Sequence, residues 1–174
     1  MNIEKLIKMT LLNSDVIFNL LSKTAEGIPN IDPLRVSVGE PPLIEFHQIG
    51  GTDSMYADSE VFRERFTYQI TYVTDTKAFS EVRNAMKQAM RSVGFVVTGE
   101  YSTQNRYTNL THYYIHVSQS FDEVWYDRLL KEQEEIYNQK HGSIEDLPLP
   151  PGEYYDPKTN SKTEIVTDDF EIID

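Results

Sequence analysis

Residues 62–73 read Phe-Arg-Glu-Arg-Phe-Thr-Tyr-Gln-Ile-Thr-Tyr-Val. On an extended chain Phe62, Glu64, Phe66, Tyr68, Ile70 and Tyr72 share one face. Arg63, Arg65, Thr67, Gln69, Thr71 and Val73 share the other. Such a period of two predicts a half-buried antiparallel strand, because successive side chains leave a strand on opposite sides. Glu64 interrupts the apolar side near its start, where the face is expected to leave the core.

Downstream of this strand the period changes. From about Lys77 to Val93, Phe79, Val82, Ala85, Met86, Ala89, Met90 and Val93 make one apolar stripe at helical spacing. Gly94 fits the position just past the helix end, where a left-handed backbone is usual. Phe95 to Thr103 reads as a strand with Phe95, Val97 and Tyr101 on one face. After a turn at 104–110, His112 to Phe121 alternates again through Tyr113, Ile115, Val117 and Phe121. Glu123 to His141 reads as a charged helix carrying Val124, Trp125, Leu129, Glu132 and Ile136, with Trp125, Leu130 and Tyr137 as its packing residues.

Upstream, Ile3, Leu6, Ile7, Thr10 and Leu11 have helical spacing, and Ser14-Asp15 starts a second helix through Ile17, Leu20 and Leu21. Gly27 and Pro29 stop it. Pro33, Pro41 and Pro42 punctuate a connector with a short strand at Arg35–Val38, followed by a strand at Leu43–Ile49. Gly50-Gly51-Thr52-Asp53-Ser54 begins a polar loop reaching about Ser59. The fold class expected is α/β (α+β). A small, mostly antiparallel sheet is covered by helices on one face, with a C-terminal helix and an extended acidic tail.

The chain of 174 residues divides into a domain at 1–141 and an extension at 142–174. The extension holds nine acids against two bases, a net −7 of the chain's −12, leaving −5 for the domain. Pro148, Pro150, Pro151 and Pro157 keep it extended and mobile, and its apolar end at Ile165, Val166, Phe170, Ile172 and Ile173 is an expected anchor on a partner. A balance this acidic argues against wrapping nucleic acid by counterion release or docking on anionic lipid. With no cysteine, disulfides, thiolate metal sites and cysteine nucleophiles are excluded. No apolar run approaches the ~18 residues that span a bilayer, and the N-terminus does not read as a signal peptide. A soluble protein made in a cytoplasm is expected.

Searching for chemistry yields no catalytic, cofactor or metal site. His112 and His116 share a face if their segment is a strand, but four residues along a strand are ~13 Å, too far for one metal. His47 and His141 have no companions in sequence. Asp53 and Asp58 lack the acid spacing and central glycine of a calcium loop. Gly50-Gly51 lacks the lysine and following helix of a phosphate loop. Asp168-Asp169 and Glu134-Glu135 are adjacent, so their carboxylates point apart and make no acid–base dyad. No nucleophile elbow occurs. The chain's eleven tyrosines include Tyr68, Tyr72, Tyr101, Tyr113 and Tyr114 on strands, a residue type that suits both sheet packing and interfaces.

The order of elements resembles that of the tail-terminator, or tail-completion, proteins of long-tailed bacteriophages. The features that carry the resemblance lie between residues 1 and 121. They are the helix pair Ile3–Leu11 and Val16–Leu21, the entry Val38-Gly-Glu-Pro-Pro-Leu-Ile, the loop at 50–58, the strand Phe62–Asp75, the helix Phe79–Val93 and two closing strands. The helix at 123–141 and the acidic tail go beyond that pattern. The resemblance implies a hexameric ring in the virion neck that caps the tail tube, stops its polymerisation and offers a surface to the head connector. Its implied partners are further copies of itself, the tube protein and a head-closure protein, with genomic DNA only passing through the lumen, no membrane and no cofactor. Assembly would occur in the host cytoplasm. Interface candidates are Asp53, Met55, Tyr56 and Asp58 in the loop, and Ile165, Phe170 and Ile172 in the tail. Another neck or connector protein, or a non-viral binding module, are the alternatives.

Overall fold

The computed structural model describes residues 1–34, 39–50, 54–57, 60–75, 79–142, 154–156 and 161–163. Along the chain run α1 (Ile3–Leu12), α2 (Asp15–Leu20), β1 (Ile31–Pro33), β2 (Leu43–Gly50), β3 (Ser54–Ala57) and β4 (Glu60–Thr74). Next come α3 (Phe79–Ser92), β5 (Val96–Gln104), β6 (Thr111–Phe121), α4 (Glu123–His141), β7 (Tyr154–Asp156) and β8 (Ser161–Thr163). The fold is α+β.

The alternating stretch is central strand β4. The sheet runs β1-β2-β4-β6-β5, with β3 also paired to β4. Only β1 and β2 are parallel; every other pair in this sheet is antiparallel. Phe66, Tyr68, Ile70 and Tyr72 are buried toward the helices, while Arg63 and Arg65 are exposed. Across the sheet they continue as Ile44–Tyr72–Tyr113 and Phe46–Ile70–Ile115. The second face of β4 closes near its end, where Thr71 and Val73 are buried as well. Being central, Val73 is flanked by Leu43 and His112, and Thr71 by Glu45 and Tyr114.

The helices cover one face. α1 has seven buried residues among ten and touches α2, α3 and α4. Asn2 caps it by accepting from the Lys5 amide. The α3 stripe buries Val82, Ala85, Met86 and Met90, as its spacing predicts. Its end is a Schellman motif: Gly94 has φ +88°, its N–H donates to Arg91 O, and the Phe95 N–H donates to Met90 O. Phe95 and Met90 are both buried, the apolar contact that accompanies this turn.

Several expectations are corrected. The connector's strand is Ile31–Pro33; Arg35–Val38 lies outside the described residues. The presumed loop at 50–58 contains β3. Gly50 pairs with Thr67, Ser54 with Glu64 and Ala57 with Glu60, so β2 and β3 follow each other along one edge of β4. The hydrophilic run hid this strand because its four residues, Ser54, Met55, Tyr56 and Ala57, are too few to show an apolar period of two. On β5, Val97 faces Val117 but Gly99 faces His116. The extra residue between them is a bulge that reverses the alternation, sending Tyr101 to the face opposite Phe95 and Val97.

Along α4, Tyr126, Leu129, Gln133 and Tyr137 are buried, whereas Val124 is 81% exposed and Ile136 37%. Trp125 and Leu130 do pack against the core, partly buried. Polar groups seat this helix on α1: the Tyr126 hydroxyl donates to Asn2 O, and Asn13 Nδ2 donates to Gln133. In the extension, β7 and β8 pair antiparallel, a short hairpin in a segment expected to be extended throughout.

Candidate functional site

Because all four helices sit on one face, the other face of the sheet is uncovered among the described residues. Its residues form rows across β2, β4, β6 and β5. One row is Glu45, Thr71, Tyr114 and Tyr101; the next is His47, Gln69, His116 and Gly99. Leu43, Val73, His112 and Thr103 make a third. Tyr101 and Tyr114 stack with ring centroids 4.6 Å apart, and His116 stands edge-on to Tyr101 at 5.8 Å. His112 also lies near-parallel to Tyr114, with ring centroids 6.2 Å apart. His116 Nε2 lies 3.1 Å from Gln69 Oε1, and since a carboxamide oxygen only accepts, the imidazole proton sits on Nε2. Thr67 and Ser118 hydroxyls are bonded at 3.1 Å.

This surface is aromatic and hydroxylic, with Tyr101 48% exposed and the nonpolar Val96 and Ile49 at its margins. Large flat rings with polar tips contribute contact area at small entropic cost, as protein interfaces use them. Among the described residues no group of three or more His, Cys, Asp or Glu is placed to hold a metal. His112 and His116 do lie on a strand, one residue apart on the same face, with Tyr114 between them.

A second cluster, unseen from the sequence, lies at the rim of the covered face. Glu100 on edge strand β5 accepts from the Tyr113 hydroxyl at 2.6 Å and from Lys87 Nζ at 3.0 Å, with Arg83 at 3.4 Å. The Tyr113 hydrogen bond, then Lys87, holds the Glu100 carboxyl below the usual carboxylate range. Burial, then the Glu100 carboxylate, pushes the Tyr113 phenol up. Arg83 also lies over the Tyr113 ring, 5.5 Å from its centroid. Arg83, Lys87 and Arg91 are four residues apart on α3, a spacing that puts them on one flank. That spacing was the available signal; their acidic partner is brought close only by the bulge in β5.

Of the interface candidates, Met55 and Tyr56 lie on β3, with backbones opposite Arg63 and Val61. The hairpin therefore joins these two in one arm. Asp53, Asp58, Ile165, Phe170 and Ile172 lie outside the described residues. No helix among the described residues is long and apolar enough to cross a membrane. No protein-family model matches the chain, and no curated protein matches it.

Proposed function

We propose that this protein is a structural, non-enzymatic subunit of a phage virion, a tail-terminator-like protein. In this reading it forms a ring that caps the tail tube, halts its polymerisation and joins it to the head connector. The observation that carries the reading is the sheet face bearing Tyr101, His112, Tyr114 and His116, which no helix covers among the described residues. A monomer gains little by presenting stacked rings to water, whereas a subunit packed against its neighbour buries them. Two further features support it. The β3–β4 arm prolongs one edge of the sheet toward a neighbour, and the helix pair, β4, α3 and the two closing strands keep the order that carries the resemblance, although β3 stands where that pattern has a loop.

The site of action is the virion neck, after assembly in the host cytoplasm, with tube protein and a head-closure protein as partners. DNA only passes through the lumen, whose acidic walls would repel phosphate. The test is the sedimentation mass of the full chain, alone and with tube protein. A hexamer of 20.2 kDa subunits is expected at six times that mass, about 121 kDa. Tyr101→Asp/Tyr114→Asp, which puts like charges on the stacked pair, should leave a folded monomer that no longer limits tail length. A chain that stays monomeric with tube protein, together with normal, head-joined tails from phage lacking it, refutes the reading.

A further inference from the structure

β5 is an edge strand: β6 pairs with one side, and among the described residues no strand pairs with the other. Nearly all of it is exposed, and its backbone groups on the free edge offer a template for another strand. Above that edge runs the flank of α3 that carries Arg83, Lys87 and Arg91, with Glu100 as their one acidic partner on β5 among the described residues. Arg91 is exposed and has no carboxylate partner among the described residues. Helix and edge enclose a shallow groove of about 260 Å³ lined by Lys87, Arg91, Val97, Thr98, Gly99 and Glu100. In a chain of net charge −12 this basic flank is a local exception.

We propose that the groove is the docking site of the chain's own acidic end, Glu164–Asp174, added as a strand to the free edge of β5. Those eleven residues hold Glu164, Asp168, Asp169, Glu171 and Asp174 and no base, so their charge complements the flank. On an extended strand Glu164, Val166, Asp168, Phe170, Ile172 and Asp174 share one face and Ile165, Thr167, Asp169, Glu171 and Ile173 the other, so each face carries acids as well as apolar side chains while main-chain hydrogen bonds hold the strand. The tether reaches. From Gly142, the cap of α4, to Tyr154 is twelve residues, or ~40 Å when extended. The β7–β8 hairpin then returns the chain, since Tyr154 pairs with Thr163. A domain of this length has a radius of gyration of ~15 Å and hence a width of roughly 40 Å. A tether of that kind gives an effective concentration of order mM, which favours the chain's own tail over a neighbour's. Docking would also cover an edge that otherwise invites aggregation.

The full chain supplies a clean test because it has no cysteine. Thr167→Cys carrying a nitroxide places one label at a known position. The amide signals of Val96–Gln104 and Arg91 should then be bleached, while those of β2, across the sheet, keep their intensity. Mixing with excess unlabelled, isotopically enriched protein should leave the signals of the enriched copies unbleached. Raising salt from 0.1 to 1 M, which cuts the Debye length from ~10 to ~3 Å, should restore them in the labelled chain. Asp168→Asn/Asp169→Asn/Glu171→Gln should lower the docked-to-free ratio about tenfold, and Arg91→Glu severalfold. The tail variant leaves every residue of 1–142 in place, so the test survives if Arg91→Glu harms folding. Unbleached β5 signals, insensitivity to the tail charges, or bleaching that appears equally in unlabelled neighbours overturns the proposal. The readout uses the isolated chain, so its outcome is independent of the ring reading.

Discussion

Gly94→Ala should be among the most damaging one-carbon changes in the protein. Gly94 has φ +88°, and a side chain there costs ~1–2 kcal/mol before any contact is counted. The added Cβ would also sit 2.7 Å from Gln119 Nε2 and 3.0 and 3.1 Å from two carbons of the Trp125 ring. Gln119 is a flexible end and can swing away. The Trp125 ring is less free, because it packs on buried Phe121 at 5.2 Å. Overpacking of this kind costs ~1–3 kcal/mol, which brings the expected total to ~2–5 kcal/mol. Gly27 is the control: its φ is +81°, but a Cβ there meets nothing within 4 Å, so Gly27→Ala should cost only ~1–2 kcal/mol. Urea unfolding of the full-length chain followed by far-ultraviolet circular dichroism measures both; at a slope of ~2 kcal/mol/M, Gly94→Ala should lower the midpoint by roughly 1–2.5 M. Trp125→Leu should relieve part of the Gly94→Ala penalty in a double-mutant cycle, with a coupling of ~1 kcal/mol. Equal losses at Gly27 and Gly94, or zero coupling to position 125, would refute the placement of the α3 end against α4.

Other outcomes follow from the same packing. Met86→Ala and Phe66→Ala should each cost ~2–5 kcal/mol, because both side chains are buried. Arg65→Ala, on the opposite face of the same strand, should cost less than ~1 kcal/mol in the same denaturation series, and a loss matching Phe66→Ala would reverse the assigned facing. Tyr113→Phe removes the first cause of the Glu100 shift, so the carboxyl should titrate nearer its ordinary value by carbon NMR; an unmoved titration would mean that Lys87 alone sets it. His141 stacks on Phe18 at 3.8 Å, and burial, then Lys140, pulls its pKa below the ordinary 6.5, with Lys23 acting in the same sense and Asp15 opposing. The neutral ring is therefore the one that folding favours: this stability is complete above pH ~6.5 and is lost as pH falls toward the folded value. The protection factors of amides in the last turn of α4, that is, exchange corrected for its intrinsic pH dependence, should fall as the pH drops below 6.5, and His141→Phe should abolish that dependence.

What the sequence made legible follows the apolar period. Phe66 to Tyr72 and Val82 to Val93 announce a strand and a helix because each buries one side against the same core, and that core imposes 2.0 on one and 3.6 on the other. Where burial is carried by other means the period fails. α4 seats Tyr126 and Gln133 by hydrogen bonds to Asn2 and Asn13, so its buried face is half polar, and the apolar Val124 and Ile136 mislead. β3 pairs with β4, and backbone pairing by itself leaves no mark in hydropathy. Loop and tail composition points to the interface candidates, but not to the stacked rings of the open face, which depend on strand neighbours that are distant in sequence: Tyr101 and Tyr114, and His116 and Gln69.

Much of what is distinctive here turns on the one residue inserted in β5. Without the shift between Val97 and Gly99, strict alternation would put Tyr101 beside Val97 on the helix face and Glu100 on the open face. The open face would lose the ring that joins Tyr114 to His116. On the other side, the Tyr113 hydroxyl would lose its carboxylate, and Arg83 and Lys87 their only described acidic partner on β5. The bulge therefore supplies both surfaces at once, an aromatic face on one side of the sheet and a basic groove with a single anchoring acid on the other. Bulges gather at sheet edges because there the unpaired side can absorb the extra residue, and the cost of the irregularity falls on a strand with only one neighbour. Deleting Thr98 should hence disturb the two surfaces together while β2, β4 and the helix core keep their register.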